Sequence, residues 1–205
     1  MHGLSERLFR DDVLFTQRLL AADGLYAGAL DGLWGPLTDA AWQVFQQRSR
    51  ALRSASGEFD LRSEAAIATL SLPAQTKARA SLRRILDAGV DARIISGTRT
   101  RTWAQQNALF RQGRYGNPGP VVTRARGGQS LHNFGIAWDI GLFTAAGGYV
   151  TEAEPYARAA VHGTIDGVEW GGGWAGFPDP SHYQLATGHP LAALRARFQA
   201  GQAMA

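Results

Sequence analysis

One alternating segment constrains the fold of this chain more than any other feature. Between residues 135 and 143 every second position is apolar, at Ile136, Trp138, Ile140 and Leu142. Asp139 falls on the opposite face of the same predicted strand. Because an isolated strand of this kind is not stable, it needs partners, and the sequence offers them at residues 92–95, 168–170 and 181–185. Helical segments separate these strands, so the pattern from about residue 73 onward predicts a mixed α and β domain.

The first 72 residues follow a different, purely helical pattern. Three short helices are predicted around one small core, with candidate caps at Asp11 or Asp12, Thr38 and Ser63. A glycine-rich loop, residues 24–36, separates the first two helices. We interpret Pro73 to Thr76 as a short joint. The chain of 205 residues is long enough for two domains, and we expect them at residues 1–72 and 73–205.

The composition excludes several kinds of chemistry. The chain has no cysteine, so disulfides, thiolate nucleophiles and cysteine-based metal sites are ruled out. Any metal must bind to carboxylates and to the five histidines. The net charge of +4 comes almost entirely from arginine. Codon bias explains such a composition more often than a basic binding surface does. No basic run is interleaved with aromatic residues, so we expect no nucleic-acid partner.

Two histidines are accompanied by carboxylates. His132 and Asp139 lie seven residues apart, which on a straight strand would place them on opposite faces. Residues 133–135 offer a turn, however, so the two side chains can converge. His182 can complete a set of His, Asp and His, and three protein ligands with one open position are typical of catalytic zinc. The sequence therefore predicts one zinc ion per chain.

Hydrolysis at such a site also needs a base and a positive charge. Asp179 lies three residues before His182, where a carboxylate can take a proton from the attacking water and return it to the leaving amine. Arg99 is the candidate for stabilising the oxyanion. Ser130 can hold a ligand or substrate, or can cap the turn before His132. Trp170 is a candidate substrate contact, although a place in the core or pocket wall is favoured for it.

The N-terminal segment resembles the peptidoglycan-binding module that accompanies many cell-wall hydrolases. The similarity covers about a third of the chain and rests on Gln17, Leu20, Gly24, Gly28, Asp31-Gly32, Gly35, Thr38, Ala41 and Phe45-Gln46. The resemblance implies a wall-binding role. Tyr26 and Trp34 on the loop are candidates for stacking on sugar rings, although simple packing is the more common use of such residues.

The remaining segment resembles the zinc peptidases of the D-Ala-D-Ala carboxypeptidase and dipeptidase family. The pattern Ser-x-His-x-x-Gly-x-Ala-x-Asp at residues 130–139 and the Asp-x-x-His at 179–182 carry the resemblance. Further agreement at residues 96–99, 105–107, 112–114, 122–123 and 169–172 is similar to the phage endolysin branch, which cuts the L-Ala-D-Glu bond. The resemblance implies a small antiparallel sheet with zinc on His132, Asp139 and His182. It also implies Asp179 as the base and Arg99 as the transition-state stabiliser.

Several functions remain open at this point. We expect a peptidoglycan endopeptidase, and the alternatives are a D,D-carboxypeptidase or dipeptidase, a secreted antibacterial effector with the same chemistry, and an inactive wall-binding protein. We expect a monomer that acts on peptidoglycan in the periplasm or cell wall without stable membrane insertion. The N-terminus lacks the pattern of a signal peptide, which predicts release through a holin-type pore or a secretion machine.

Overall fold

The structure is a computed structural model that describes residues 9–95 and 100–204. Its α-helices are α1 (Arg10–Ala22), α2 (Pro36–Ser56), α3 (Leu61–Ile67), α4 (Leu72–Asp87), α5 (Trp103–Arg111), α6 (Ala153–Gly163) and α7 (Leu191–Gln199). Its strands are β1 (Ala92–Ile94), β2 (Ala137–Leu142), β3 (Val168–Trp170) and β4 (His182–Leu185). Within this part of the chain, no helix is both long and apolar enough to cross a membrane.

The four strands form one antiparallel sheet in the order β1-β2-β4-β3. This confirms the predicted α+β class with its small antiparallel sheet. Asp139 of β2 lies directly opposite His182 of β4 in the strand register. Because directly paired residues project to the same side of a sheet, the register places both side chains on one face. Trp138 and Tyr183 lie on the other face, where their rings stack in the core at 6.3 Å.

Several local predictions are confirmed. Helix α5 begins with the expected capping box, in which Thr102 and Gln105 satisfy each other's backbone N–H groups. Helix α6 includes Pro155 in its first turn and ends at Gly163, as predicted. The predicted strands at residues 92–95, 168–170 and 181–185 each occur within one residue of their expected bounds.

The predicted helix starts need correction. Helix α1 begins at Arg10, so Asp11 and Asp12 lie in its first turn and favour it through the helix dipole rather than as caps. Helix α2 begins at Pro36, two residues before Thr38. The cap of α3 is Asp60, which accepts hydrogen bonds from the backbone N–H groups of Arg62 and Ser63.

The expected joint at residues 73–76 is also wrong. Helix α4 already begins at Leu72, and Pro73 occupies its first turn, where a missing backbone N–H costs little. Helix α3 was expected to complete a bundle with α1 and α2, but it packs against β1 and α4. One contact shows why, since the Ile94 backbone N–H of β1 donates to the Ser63 hydroxyl at 2.9 Å.

The described residues form two compact units. Among these residues, one unit contains 9–48, 101–135 and 189–204, and the other contains 49–95, 100 and 136–188. In the first unit, Phe198 of α7 is fully buried and lies 5.3 Å from the ring of Phe15 and 5.4 Å from the ring of Phe134. Through Phe198, helix α7 packs against both α1 and the turn that carries His132. The division into domains of residues 1–72 and 73–205 stays a prediction.

The second unit contains a buried ion pair between α3 and α4. The Arg79 guanidinium, 1% exposed, donates to both carboxylate oxygens of Glu64 at 3.0 and 2.6 Å. Burial alone would raise the pKa of Glu64. The hydrogen bonds from Arg79 and from the Phe59 N–H, with the charges of Arg79 and Arg53, hold that pKa below its ordinary value instead. The ionised pair is therefore the stable form inside this unit.

We expect Glu64→Ala to lower the free energy of unfolding by about 3–5 kcal/mol, because it leaves the Arg79 charge buried without its partner. Urea denaturation at neutral pH measures this loss. Glu154→Ala is the matched control, since Glu154 pairs with Arg158 on the exposed surface of α6 and should cost no more than about 0.5 kcal/mol.

The same pair predicts a pH dependence. A carboxylate whose pKa is lowered on folding contributes stability that is present above its unfolded pKa and is lost as the pH falls through the folded value. The difference between wild type and Glu64→Ala should therefore shrink below about pH 4. A difference that stays constant down to pH 2 would contradict this role for the ionised carboxylate.

Candidate metal centre

Three side chains of the described residues come together as a potential metal site. His132, Asp139 and His182 each offer one ligand atom, and these atoms all lie within 4.8 Å of one another. His132 is 4% exposed and His182 is 7% exposed, and the Asp139 side chain is 14% exposed. A carboxylate so far removed from water needs a cation or strong hydrogen bonds for compensation. The predicted ligands thus share one nearly buried position.

A tight turn brings His132 toward β2. Residues Leu131–Phe134 form a single 3-10 turn, and Gly135 ends it in the left-handed region with φ of 69°. Because L side chains rarely adopt that region, glycine is favoured at this position. On a straight strand, the side chains of His132 and Asp139 would lie on opposite faces. This turn lets them converge, as the sequence predicted for residues 133–135.

Asn133 fixes this turn from inside the protein. Its side chain is fully buried, accepts a hydrogen bond from the Gly128 N–H at 3.0 Å and donates to the Arg101 carbonyl at 2.9 Å. The Arg101 N–H in turn donates to the His132 carbonyl at 3.1 Å. The backbone of His132 is therefore held on both sides. The sequence pattern predicts only a turn position for Asn133, not this pair of buried hydrogen bonds.

The strand register sets the other half of the centre. His182 Nδ1 lies 3.0 Å from Asp139 Oδ1, across the directly paired positions of β4 and β2. Burial works to lower the pKa of His182. The hydrogen bond and charge of Asp139, with smaller contributions from Gln184 and Asp179, raise that pKa above its ordinary value. The carboxylate of Asp139 therefore stabilises a positive charge on this ring.

Asp179 lies on the loop that leads into β4. Its Oδ1 accepts a hydrogen bond from the Ser181 hydroxyl at 2.9 Å, and its backbone N–H donates to the Gly171 carbonyl at 3.0 Å. A Cβ on Gly171 would lie 2.9 Å from the Asp179 carbonyl oxygen and 3.0 Å from His182 Cβ. Glycine at position 171 therefore lets this loop approach the centre closely.

Trp170 braces the same loop. Its indole N–H donates to the Pro180 carbonyl at 2.8 Å, and its ring occupies the space that a side chain at Gly172 would need. Trp170 therefore stabilises this loop, and its role as a substrate contact stays a prediction. Beyond it, Trp174 places its ring 5.1 Å from the ring of His182 and is 37% exposed. No sequence signal distinguishes Trp174 from Phe177, the other aromatic residue of this loop.

The other predicted site residues lie elsewhere or are not described. Arg99 falls outside the described residues. Ser130 precedes the 3-10 turn and its hydroxyl does not cap it. In the N-terminal loop, Tyr26 donates to the Ala29 carbonyl at 2.8 Å, and the indole of Trp34 donates to Asp39 at 3.2 Å. Both aromatic residues are half-buried, so their polar groups stabilise the loop itself.

Two imidazoles and a carboxylate on an antiparallel sheet and its adjoining turn, with a further carboxylate on the next loop, are typical of the class of catalytic metal centres. Comparison with known families agrees with this class. Residues 123–185 match the model of the M15-type family described as D-alanyl-D-alanine carboxypeptidase, and that segment contains all three clustered side chains. Through this segment, which is less than half of the chain, the protein is similar to the M15 peptidase family.

Two relatives are similar to parts of the chain. The peptidoglycan L-alanyl-D-glutamate endopeptidase CwlK of Bacillus subtilis (strain 168) is 33% identical over 106 residues, which is 47% of this chain and 62% of that protein. The chain thus spans less than two thirds of this relative. The crystal structure of the L-Ala D-Glu endopeptidase ChiX of Serratia marcescens is 29% identical with a TM-score of 0.47, covering 62% of this chain and 89% of that one.

Proposed function

We propose that this protein is a zinc-dependent endopeptidase that cleaves the L-Ala-D-Glu bond in the stem peptide of bacterial peptidoglycan. The observation that carries the proposal is the cluster of His132, Asp139 and His182 within a segment that matches the M15 family. Two imidazole nitrogens and one carboxylate oxygen are ligands that zinc prefers, and cysteine is absent from the chain. These three residues would hold the ion, leaving a fourth position for water or substrate.

The chemistry divides between the ion and the protein. When bound, zinc lowers the pKa of a coordinated water and polarises the carbonyl of the scissile bond. Asp179 takes the proton of the attacking water and passes it to the leaving amine. The Ser181 hydroxyl holds Asp179 Oδ1, which leaves Oδ2 to accept that proton. We assign stabilisation of the oxyanion to Arg99 and a substrate contact to Ser130 and Trp170.

The choice of bond rests on the named relative. CwlK carries the name of an L-alanyl-D-glutamate endopeptidase, and a third of its aligned residues are identical to those of this chain. The second candidate is a D,D-carboxypeptidase that removes terminal D-Ala, which is favoured by the description of the matching family. Both reactions use the same ligands and base, so the product distinguishes them.

Digestion of purified peptidoglycan tests the proposal. We expect mass spectrometry to show new fragments with N-terminal D-Glu, and no such fragments when a zinc chelator is present. Release of D-Ala alone would replace the proposal with the carboxypeptidase. If no product depends on zinc, the chain is a wall-binding protein without this activity. The control is the chelated enzyme after zinc is restored, which should regain the wild-type products.

We further infer that the enzyme acts at the cell wall and that its N-terminal region binds the wall through Tyr26 and Trp34. The support is the resemblance of the loop to wall-binding modules and the partial exposure of both rings. Co-sedimentation of Trp34→Ala with insoluble peptidoglycan tests this role. We expect weaker sedimentation and unchanged cleavage of soluble muropeptides, whereas wild-type sedimentation would contradict a wall contact at Trp34.

A further inference from the structure

We propose that Gln184 and Glu169 form a positioning pair that orients the ring of His182, so that Nδ1 is its metal-binding nitrogen. The inference deepens the proposed function, because it rests on the zinc site assigned there. Neither residue belongs to the ligand set or to the candidate catalytic groups. Both act through His182.

The strand register places this pair beside the ligands. Gln184 of β4 lies two residues after His182 and therefore projects to the same face of the sheet. Glu169 of β3 is directly opposite Gln184, and Asp139 of β2 is directly opposite His182. Four polar side chains thus form one continuous line across three strands on one face of the sheet.

Hydrogen bonds connect this line from end to end. The Gln184 side-chain NH₂ donates to Glu169 Oε2 at 2.8 Å, and Gln184 Oε1 lies 3.1 Å from His182 Nε2. His182 Nδ1, on the other side of the ring, lies 3.0 Å from Asp139 Oδ1. The two nitrogens of one ring therefore face different partners, and only Nδ1 faces another predicted ligand.

The chemistry of these groups determines which nitrogen carries the proton. A carboxylate accepts hydrogen bonds and donates none, so Glu169 requires the NH₂ group of Gln184. The amide oxygen must then face His182, and this oxygen can only accept. His182 Nε2 therefore carries a hydrogen, which leaves Nδ1, beside Asp139, as the nitrogen that can bind a metal. Glu169 thus selects the tautomer of His182 through the orientation of one amide.

A partner that fixes the tautomer of a metal-binding histidine commonly raises metal affinity by about 10- to 100-fold. Without Glu169, the Gln184 amide can rotate and present its NH₂ group to Nε2, which favours the tautomer with hydrogen on Nδ1. That tautomer has no lone pair toward Asp139. The pair therefore keeps a hydrogen on Nε2, so that the ring binds the metal through Nδ1.

The test measures zinc affinity by competition with a chelator, without any peptidoglycan. Gln184→Met keeps the length of the side chain but removes both hydrogen bonds, and we expect its zinc affinity to fall by about 10- to 100-fold. The exchange variant Glu169→Gln with Gln184→Glu retains an acceptor toward His182 and a donor between the two positions. We expect this variant to regain most of the lost affinity.

Two further measurements separate positioning from a merely structural role. Imidazole ¹⁵N spectra of the zinc-loaded wild type should show His182 Nε2 with its own hydrogen and Nδ1 without one. Glu169 is exposed, so Glu169→Ala should stay folded and still bind zinc more weakly than wild type. Glu154→Ala removes an exposed carboxylate from α6 and should leave zinc affinity unchanged, which controls for the loss of surface charge.

The outcomes distinguish this proposal from the function on which it rests. If Gln184→Met and Glu169→Ala bind zinc as tightly as wild type, or if Nδ1 carries the hydrogen in the loaded protein, the positioning pair is wrong. Loss of affinity in Gln184→Met that the exchange variant does not restore also overturns it. A wild type that binds zinc but cleaves no muropeptide would overturn the proposed function and leave the positioning result standing.

Discussion

His132→Ala should lose zinc and peptidase activity together. His132 is 4% exposed and its backbone is held by Arg101, so no other described side chain in the cluster can take its place without moving the turn. Under the proposed function, Asp139 and His182 alone would offer the ion two protein ligands instead of three. We expect the loss of affinity to exceed the roughly 10- to 100-fold typical of removing a residue outside the ligand set.

The measurement is zinc content after dialysis, followed by muropeptide cleavage at saturating zinc. His162→Ala is the matched control, because His162 lies exposed at the end of α6 and should keep both zinc and activity. Circular dichroism establishes that the variant is folded, since the Leu131–Phe134 turn also packs through Phe134 against Phe198. A folded His132→Ala protein that retains one tightly bound zinc would remove His132 from the ligand set.

The sequence predicted the parts of this centre that depend on local pattern. Alternation in the sequence identified strand β2, although both of its faces are largely buried in the structure. The segment 133–135 indicated the turn that brings His132 and Asp139 together. The strand at residues 181–185 is also predicted by pattern, and the nearby carboxylate of Asp179 indicates His182 as a candidate ligand. The pairing of Asp139 with His182 was not predictable, because strand register depends on contacts between segments that lie far apart in the chain.

Errors arose where long-range packing decides between equivalent local signals. Ser63 is a common capping residue, but Asp60 lies three positions earlier and caps α3, which leaves the Ser63 hydroxyl to accept from β1. Pro73 signals either a joint or the first turn of a helix, and in α4 it is the latter. Helix α7 was not predicted, although its Phe198 is fully buried against Phe15 and Phe134.

The pair of Gln184 and Glu169 was missed for the same physical reason. Gln184 is polar and half-buried, which in the sequence suggests an ordinary surface position on a strand. Its contact with Glu169 joins residues fifteen positions apart and exists only because β3 and β4 pair in one register. A residue that acts through another residue has no motif of its own at the level of a single sequence.

Asp179→Asn should keep zinc bound while the rate of cleavage falls by about 10²- to 10⁴-fold. Asparagine preserves the shape of the side chain, and its amide oxygen can still accept the hydrogen bond that Ser181 donates to Asp179 at 2.9 Å. It cannot accept a proton from water. The loss should therefore appear in kcat, with little change in zinc affinity, when kcat and the zinc dissociation constant are measured on the same preparation.

The matched control is Asp166→Asn, an exposed aspartate near Lys77 that should change neither quantity. The comparison with His132→Ala is informative because we expect His132→Ala to lose the zinc ion and Asp179→Asn to retain it. If Asp179→Asn cleaves muropeptides at the wild-type rate, the base is another group and the Asp-x-x-His spacing reflects loop geometry alone. If Asp179→Asn instead loses zinc, Asp179 acts on the ion rather than on the proton, since the two roles predict opposite results for metal content.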